Sequence, residues 1–212
     1  LDDPTKHRPQ LFCGGGDRYI TVWEASSNAP VEQPQWNKVQ KLGPHTGWVK
    51  ALALGQSNQG EWLHSIGCNC IESWKQIDNN NGRWEHCQKR TIESSPDQGS
   101  TLSSDLLCLA TWDDWLFSGG VDGRIHVWTC DPKVATQPLE SFAAHEGRVN
   151  VLSIVPIPET DSAVLFSSGH DGVVQCRRCQ TILSTSKYTD SRQETSPLRI
   201  SVEEAPMAAF SI

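Results

Sequence analysis

A phrase of the form Asp-Gly-x-Ile-x-Val-Trp returns about every fifty residues along this chain. It is nearest to ideal at Asp122, Gly123, Ile125, Val127 and Trp128. It recurs as Asp17, Ile20, Val22 and Trp23, as Cys68, Asn69, Ile71, Ser73 and Trp74, and as Asp171, Gly172, Val174, Cys176 and Arg177. The closing positions Trp23, Trp74, Trp128 and Arg177 lie 51, 54 and 49 residues apart. Self-similarity at such a period marks stacked supersecondary units. Each is too small to bury its own apolar face and is covered by its neighbours.

The unit between residues 102 and 143 reads most clearly. Leu106, Leu107, Leu109 and Thr111 make a short apolar strand, and Asp113 and Asp114 mark a turn. Trp115 to Ser118 make a second strand, Gly119 to Gly123 a tight turn, and Arg124 to Thr129 a third strand. A fourth is expected near Leu139 to Phe142. Strand side chains alternate, so Ile125 and Val127 share one face and Arg124, His126 and Trp128 the other. The opening strands repeat as Val49, Leu52, Leu54, as Leu106, Leu109, Thr111, and as Val149, Leu152, Ile154. The first gap is three residues in each case, where a period of two would need two. A β-bulge near the start of each strand reconciles the spacing.

A third column is formed by His45 and His145, each followed by a Gly two residues on and each placed just before an opening strand. A repeating His is structural, and its expected role is a hydrogen bond to the Asp of the tight turn. A His before strand one, an Asp (Asp17, Asp122, Asp171) between strands two and three, and a Trp (Trp23, Trp74, Trp128) closing strand three resemble the WD-repeat β-propeller family. The resemblance runs over roughly residues 11 to 180. It implies an all-β fold of four-stranded blades around an axis, with the His-bearing and Asp-bearing loops on one face. The departures are Cys68 in an Asp position, Arg177 in a Trp position and Leu102 in a His position. In addition, Gly120 and Gly169 stand where the family often has Ser. These weaken an expectation of hydrogen-bonded networks and leave the apolar strand pattern intact.

On this reading residues 45–92, 102–143 and 145–187 are full blades, 10–42 and 207–212 are partial blades, and 188–206 is a polar linker. The chain opens at Leu1 rather than Met. The expectation is a fragment of a ring of about seven blades, with a closed four-bladed ring as the other arrangement. A fragment would expose unpaired strand edges and tend to associate.

Composition narrows the function classes. The 212 residues carry a net charge of −7 with scattered basic residues, which argues against a nucleic-acid face. Lys6, His7 and Arg8 form one small basic cluster, and Arg177 and Arg178 another. No apolar run approaches the about 18 residues a membrane span needs, and no signal peptide opens the chain. An intracellular location, cytoplasmic or nuclear, with reduced thiols follows as an expectation. Cys176-Arg-Arg-Cys179 has no second pair to complete a metal site, and Cys176 stands in the apolar column of Val22 and Val127. Gly14-Gly15-Gly16-Asp17 lacks the Gly-Lys-Ser/Thr of a phosphate loop and leads into a strand. No cofactor, metal or catalytic residue is expected.

The family resemblance implies a non-catalytic scaffold that binds protein or peptide partners on the loop face. Trp48 and Arg148, each preceding a strand-one Val, and Arg18 and His170, beside the turn Asp, are the candidate contact residues. Trp48, Trp62, Trp84 and Trp115 fall outside the repeat column; most should be packing, with one or two at a binding face. The alternatives are an enzyme or small-ligand site near the axis, or RNA binding through Arg177 and Arg178. Ser95-Pro96 and Ser196-Pro197 are candidate phosphorylation steps in polar loops.

Overall fold

The alternation of Ile125 and Val127 with His126 and Trp128 already demands a sheet covered on both faces, and a stack of sheets supplies both covers. The computed structural model describes residues 9–26, 35–57, 59–77, 82–92, 105–182 and 199–204. They form four antiparallel meanders. The first sheet has three strands, β1 (Gln10–Gly14), β2 (Ile20–Ala25) and β3 (Trp36–Leu42). The second has β4 (Val49–Ser57), β5 (Gly60–Gly67), β6 (Cys70–Ile77) and β7 (Arg83–Thr91). The third has β8 (Leu106–Trp112), β9 (Trp115–Gly120), β10 (Arg124–Thr129) and β11 (Glu140–Ala143). The fourth has β12 (Val149–Ile157), β13 (Ser162–Gly169), β14 (Val174–Ile182) and β15 (Arg199–Glu204).

The strands expected in the third unit are present, and the three-residue gap has the expected cause. Register shifts fall between Val49 and Ala51, between Leu106 and Cys108, and between Val149 and Val151. Each extra residue turns Leu52, Leu109 or Leu152 back to the side of the Val or Leu that opens its strand.

Consecutive sheets are joined by three apolar seams. The first brings Ile20, Val22 and Leu42 against Val49, Leu63, Trp74 and Trp84. The second brings Ile66 and Ile71 against Leu106, Leu109, Leu116 and Trp128. The third brings Phe117, Ile125 and Val127 against Val149, Leu152, Leu165 and Cys179. In every seam the Ile/Val column of one sheet meets the Leu column of the next, joined by Trp74 in the first and Trp128 in the second. Each fully buried aliphatic or Phe side chain contributes about 1.5–3 kcal/mol, so the seams dominate the stabilisation. Gly14 and Gly119 let the sheets come close. A Cβ on Gly14 would stand 2.4 Å from Val49 Cγ1, and one on Gly119 2.7 Å from Val149 Cγ1.

Two expectations need correction. The fourth blade does not end at residue 187, and 188–206 is not wholly a linker. Arg199–Glu204 pairs with Arg177–Ile182 as β15, the outer strand of the fourth sheet. Its alternation, Ile200 and Val202 against polar residues, is short, but both side chains pack against the third seam. The expected partial blade at 207–212, Leu102, Lys6 to Arg8, Ser95 and Ser196 lie outside the described residues. Among the described residues no helix is long and apolar enough to cross a membrane.

Candidate functional site

Antiparallel alternation sends the β1–β2, β5–β6, β9–β10 and β13–β14 turns to one end of the sheets, together with the connections that enter β4, β8 and β12. Arg18, Trp48, Arg148 and His170 all stand at this end, and all four are exposed. Trp48 is 70% exposed, whereas Trp62, Trp84 and Trp115 are at most 2% exposed. Of these four tryptophans Trp48 is thus free for contact, and the other three are packing.

The backbone beneath these side chains is tied across the first two seams and, at Arg148 and His170, within the fourth sheet. Val49 N–H donates to Gly15 O at 3.1 Å, and Leu106 N–H donates to Cys68 O at 2.9 Å. His45 N–H donates to Arg18 O at 2.8 Å, and His170 N–H to Arg148 O at 2.9 Å. Arg18 adopts φ 68°, a left-handed conformation that a non-glycine residue rarely holds without support. Its carbonyl takes a second bond from the His45 ring, Nδ1 to O, at 3.1 Å. A carbonyl only accepts, so Nδ1 carries the proton. Burial pushes the His45 pKa down, keeping the ring neutral. Nε2 then accepts from Ser65 Oγ at 2.8 Å, and Ser65 Oγ accepts the Trp74 indole N–H at 3.0 Å. A buried relay from Trp74 to the Arg18 carbonyl therefore fixes the loop on which Arg18 stands.

This differs from the bond expected for His45. With Cys68 in the Asp position of its own sheet, the ring turns to the neighbouring sheet. His145 does make the expected bond, Nδ1 to Asp171 Oδ2 at 3.0 Å, with Nε2 2.8 Å from Ser167 Oγ. The backbone N–H of Val173 holds the Asp171 carboxyl below its usual range, with further help from His145 and the Glu146 N–H. Asp17 and Asp122 likewise accept the N–H two residues on, from Tyr19 and Arg124. In the third sheet Trp128 donates to Ser118 Oγ at 2.9 Å. Trp23 is only half-buried.

The networks discounted on sequence grounds are therefore partly present, carried by a serine column the sequence reading missed. Ser65, Ser118 and Ser167 sit in the second strand of their sheets, not at Gly120 and Gly169. The signal was available: Ser118 precedes Trp128 by ten residues and Ser65 precedes Trp74 by nine. Lys50 also bridges to Asp105 at 3.0 Å across the second seam. Trp48, Asp105 and Arg148 precede β4, β8 and β12 at equivalent positions. An open groove of about 550 Å³ has His145, Glu146 and Asp171 in its wall.

Other candidates take structural places. Arg177 reaches Glu204 at 3.1 Å and lies over the Phe142 ring. Arg178 is exposed. Cys179 is buried, its thiol pushed up to about 12 by that burial, and Cys176 is half-buried. Among the described residues no group of three or more His, Cys, Asp or Glu is placed to hold a metal ion.

The repeat and the sheet stack have a counterpart among known proteins. Residues 96–129 match the family described as WD domain, G-beta repeat. The fold is that of a WD-repeat β-propeller. The match spans the third repeat up to Trp128 and Thr129, where the phrase is nearest to ideal. Solved structures similar to this chain include U3-55K, at 20% identity and TM-score 0.54 over 79% of this chain and 44% of that one. A chain in a crystal structure of the Mitotic Checkpoint Complex is similar at 19% identity and TM-score 0.53, covering 80% and 43%. The computationally designed Ika4 protein is similar at 19% and 0.53, covering 81% and 86%. At these identities the likeness is one of fold. The chain spans less than half the length of the first two. No curated protein matches it in sequence.

Proposed function

We propose that this WD-repeat chain is a non-catalytic platform that binds protein or peptide partners at the end bearing Arg18, Trp48, Arg148 and His170. One observation carries the reading. Trp48 is 70% exposed while the backbone on both sides of it is fixed by bonds across the first seam. A large aromatic held in water on a rigid support loses little freedom on binding and desolvates a large area, and Trp and Arg are favoured as interface anchors. Arg18 and Arg148 add charge-assisted donors on either side of the Lys50–Asp105 bridge. The rigidity comes from the sheet stack, so binding needs no reactive centre.

The test is capture of partners from the native cell by the unaltered chain and by a Trp48→Ala/Arg148→Ala double variant with unchanged circular dichroism and thermal midpoint. The expected result is loss of the partners that the unaltered chain retains. An unchanged partner set would remove these residues from the interface. Turnover in a broad hydrolase screen would favour a site near the axis instead.

A further inference from the structure

Two columns of the repeat show the same anomaly at opposite ends of the stack. Leu11, Leu63, Leu116 and Leu165 occupy equivalent places on the second strand, each paired with the closing position of the phrase, Trp23, Trp74, Trp128 or Arg177. Leu63, Leu116 and Leu165 are at most 1% exposed, because the preceding sheet covers them; Leu11 is 47% exposed. Ile20, Ile71, Ile125 and Val174 open or nearly open the third strand on the opposite face. The three isoleucines are 0% exposed, because the following sheet covers them; Val174 is 56% exposed. The fourth sheet repeats this exposure in its first strand, with Val151 at 55% and Val155 at 51%. The bulge that turns Leu152 toward the third sheet turns these two valines away from it.

Among the described residues the first sheet thus lacks the cover that every later sheet receives from behind, and the fourth lacks the cover that every earlier sheet receives from in front. These are the two halves of one seam, a seam the chain already builds three times. They do not meet within one copy, or Leu11 and Val174 would be as buried as their equivalents. We propose that the fourth sheet of one copy packs against the first sheet of a second copy, head to tail, as a fourth instance of the internal seam. Contact runs through sheet faces rather than strand edges. The described sheets of a pair of copies closed on itself would number eight, with the two faces covering each other, within the range of blades that propellers adopt. Lys38 pairs with Trp23 on the open side of the first sheet. Glu203 lies on the open side of the fourth, beside Arg178. Both are on outer strands, so the rims carry charges able to pair. This association is independent of the loop-end contacts proposed above.

The head-to-tail geometry makes a specific test available. Sedimentation equilibrium of the unaltered chain should give twice the chain mass. Val174→Glu alters the fourth-sheet face only and Leu11→Glu the first-sheet face only; both positions are exposed, so neither change burdens a core. Each variant alone should sediment as a monomer, because every seam between identical copies then carries one altered face. Mixed one to one, they should recover a twofold mass, since one seam in the mixed pair joins two unaltered faces. A monomeric unaltered chain would overturn the proposal. So would variants that still dimerise alone, or a mixture that stays monomeric. Recovery in the mixture also requires that both variants are folded, so a folding failure cannot pass for support.

Discussion

The hydroxyl of Ser65 lies 2.8 Å from His45 Nε2, and through this contact a strand interior and a loop on the far side of a seam become one hydrogen-bonded unit. Ser65 also accepts from Trp74, whose indole is buried in the first seam. Ser65→Ala leaves the Trp74 N–H and His45 Nε2 without this partner. The cost of such a loss is about 1–3 kcal/mol for each orphaned group. Ser118→Ala orphans the Trp128 N–H alone. Urea unfolding should therefore show Ser65→Ala as the more destabilised of the two; equal midpoints would mean that the His45 bond contributes nothing.

Gly119 should tolerate no larger side chain. A Cβ there meets Cys108 Sγ and Val149 Cγ1, both at 2.7 Å, and a valine side chain has little rotamer freedom with which to retreat. Overpacking of this kind costs about 1–3 kcal/mol. Gly15→Ala, with nothing within 4 Å of the added carbon, is the control and should leave the thermal midpoint nearly unchanged.

Stability should fall as the pH drops below that of an ordinary histidine. Burial holds His64 well below the ordinary 6.5 of a histidine, and burial also lowers His45 and His126. Below about pH 6.5 the unfolded chain binds protons that the folded chain refuses. A depressed folded pKa therefore contributes stability above pH 6.5 and loses it on acidification. Asp17 and Asp171 act in the same direction at lower pH, below their ordinary 3.8. The urea midpoint should decline between about pH 7.5 and pH 5.5. His64→Gln should decline less over that interval, and an equal slope in the variant would remove His64 as a source.

Thiol reactivity should divide by depth. Cys13 and Cys87 are exposed, whereas burial pushes Cys108, Cys130 and Cys179 up to about 12. A thiol must ionise and be reached to react. Labelling of the folded chain followed by peptide mapping should place early modification at Cys13 and Cys87. Cys108, Cys130 and Cys179 should react only after denaturant is added. Early modification of Cys108 would contradict the third seam.

The architecture was legible because the seams are written as columns. The Ile/Val and Leu/Trp positions keep their spacing even where Asp and Trp have drifted to Cys68 and Arg177, since packing tolerates changes that a hydrogen bond does not. The bulges were legible for the same reason, from a gap of three that alternation alone forbids. The serine column was harder to see. Ser65 and Ser118 stand among apolar residues, and their partners lie nine or ten positions away across a hairpin. The β15 strand was missed because Arg-Ile-Ser-Val-Glu-Glu is too short and polar to declare itself. Only pairing with Arg177–Ile182 makes it a strand. The turn of His45 toward Arg18 follows from the loss of Asp at Cys68, a substitution visible in sequence whose consequence needed the neighbouring sheet.

The loop-end platform is tested most directly by a photoreactive side chain in place of its anchor. Trp48→p-benzoylphenylalanine should crosslink a partner on irradiation in the native cell, and an excess of the unaltered chain should suppress the adduct. The same substitution at Val134, 62% exposed on the β10–β11 connection at the other end of the third sheet, should give none. Adducts of equal yield at both positions, or at Val134 alone, would contradict the account.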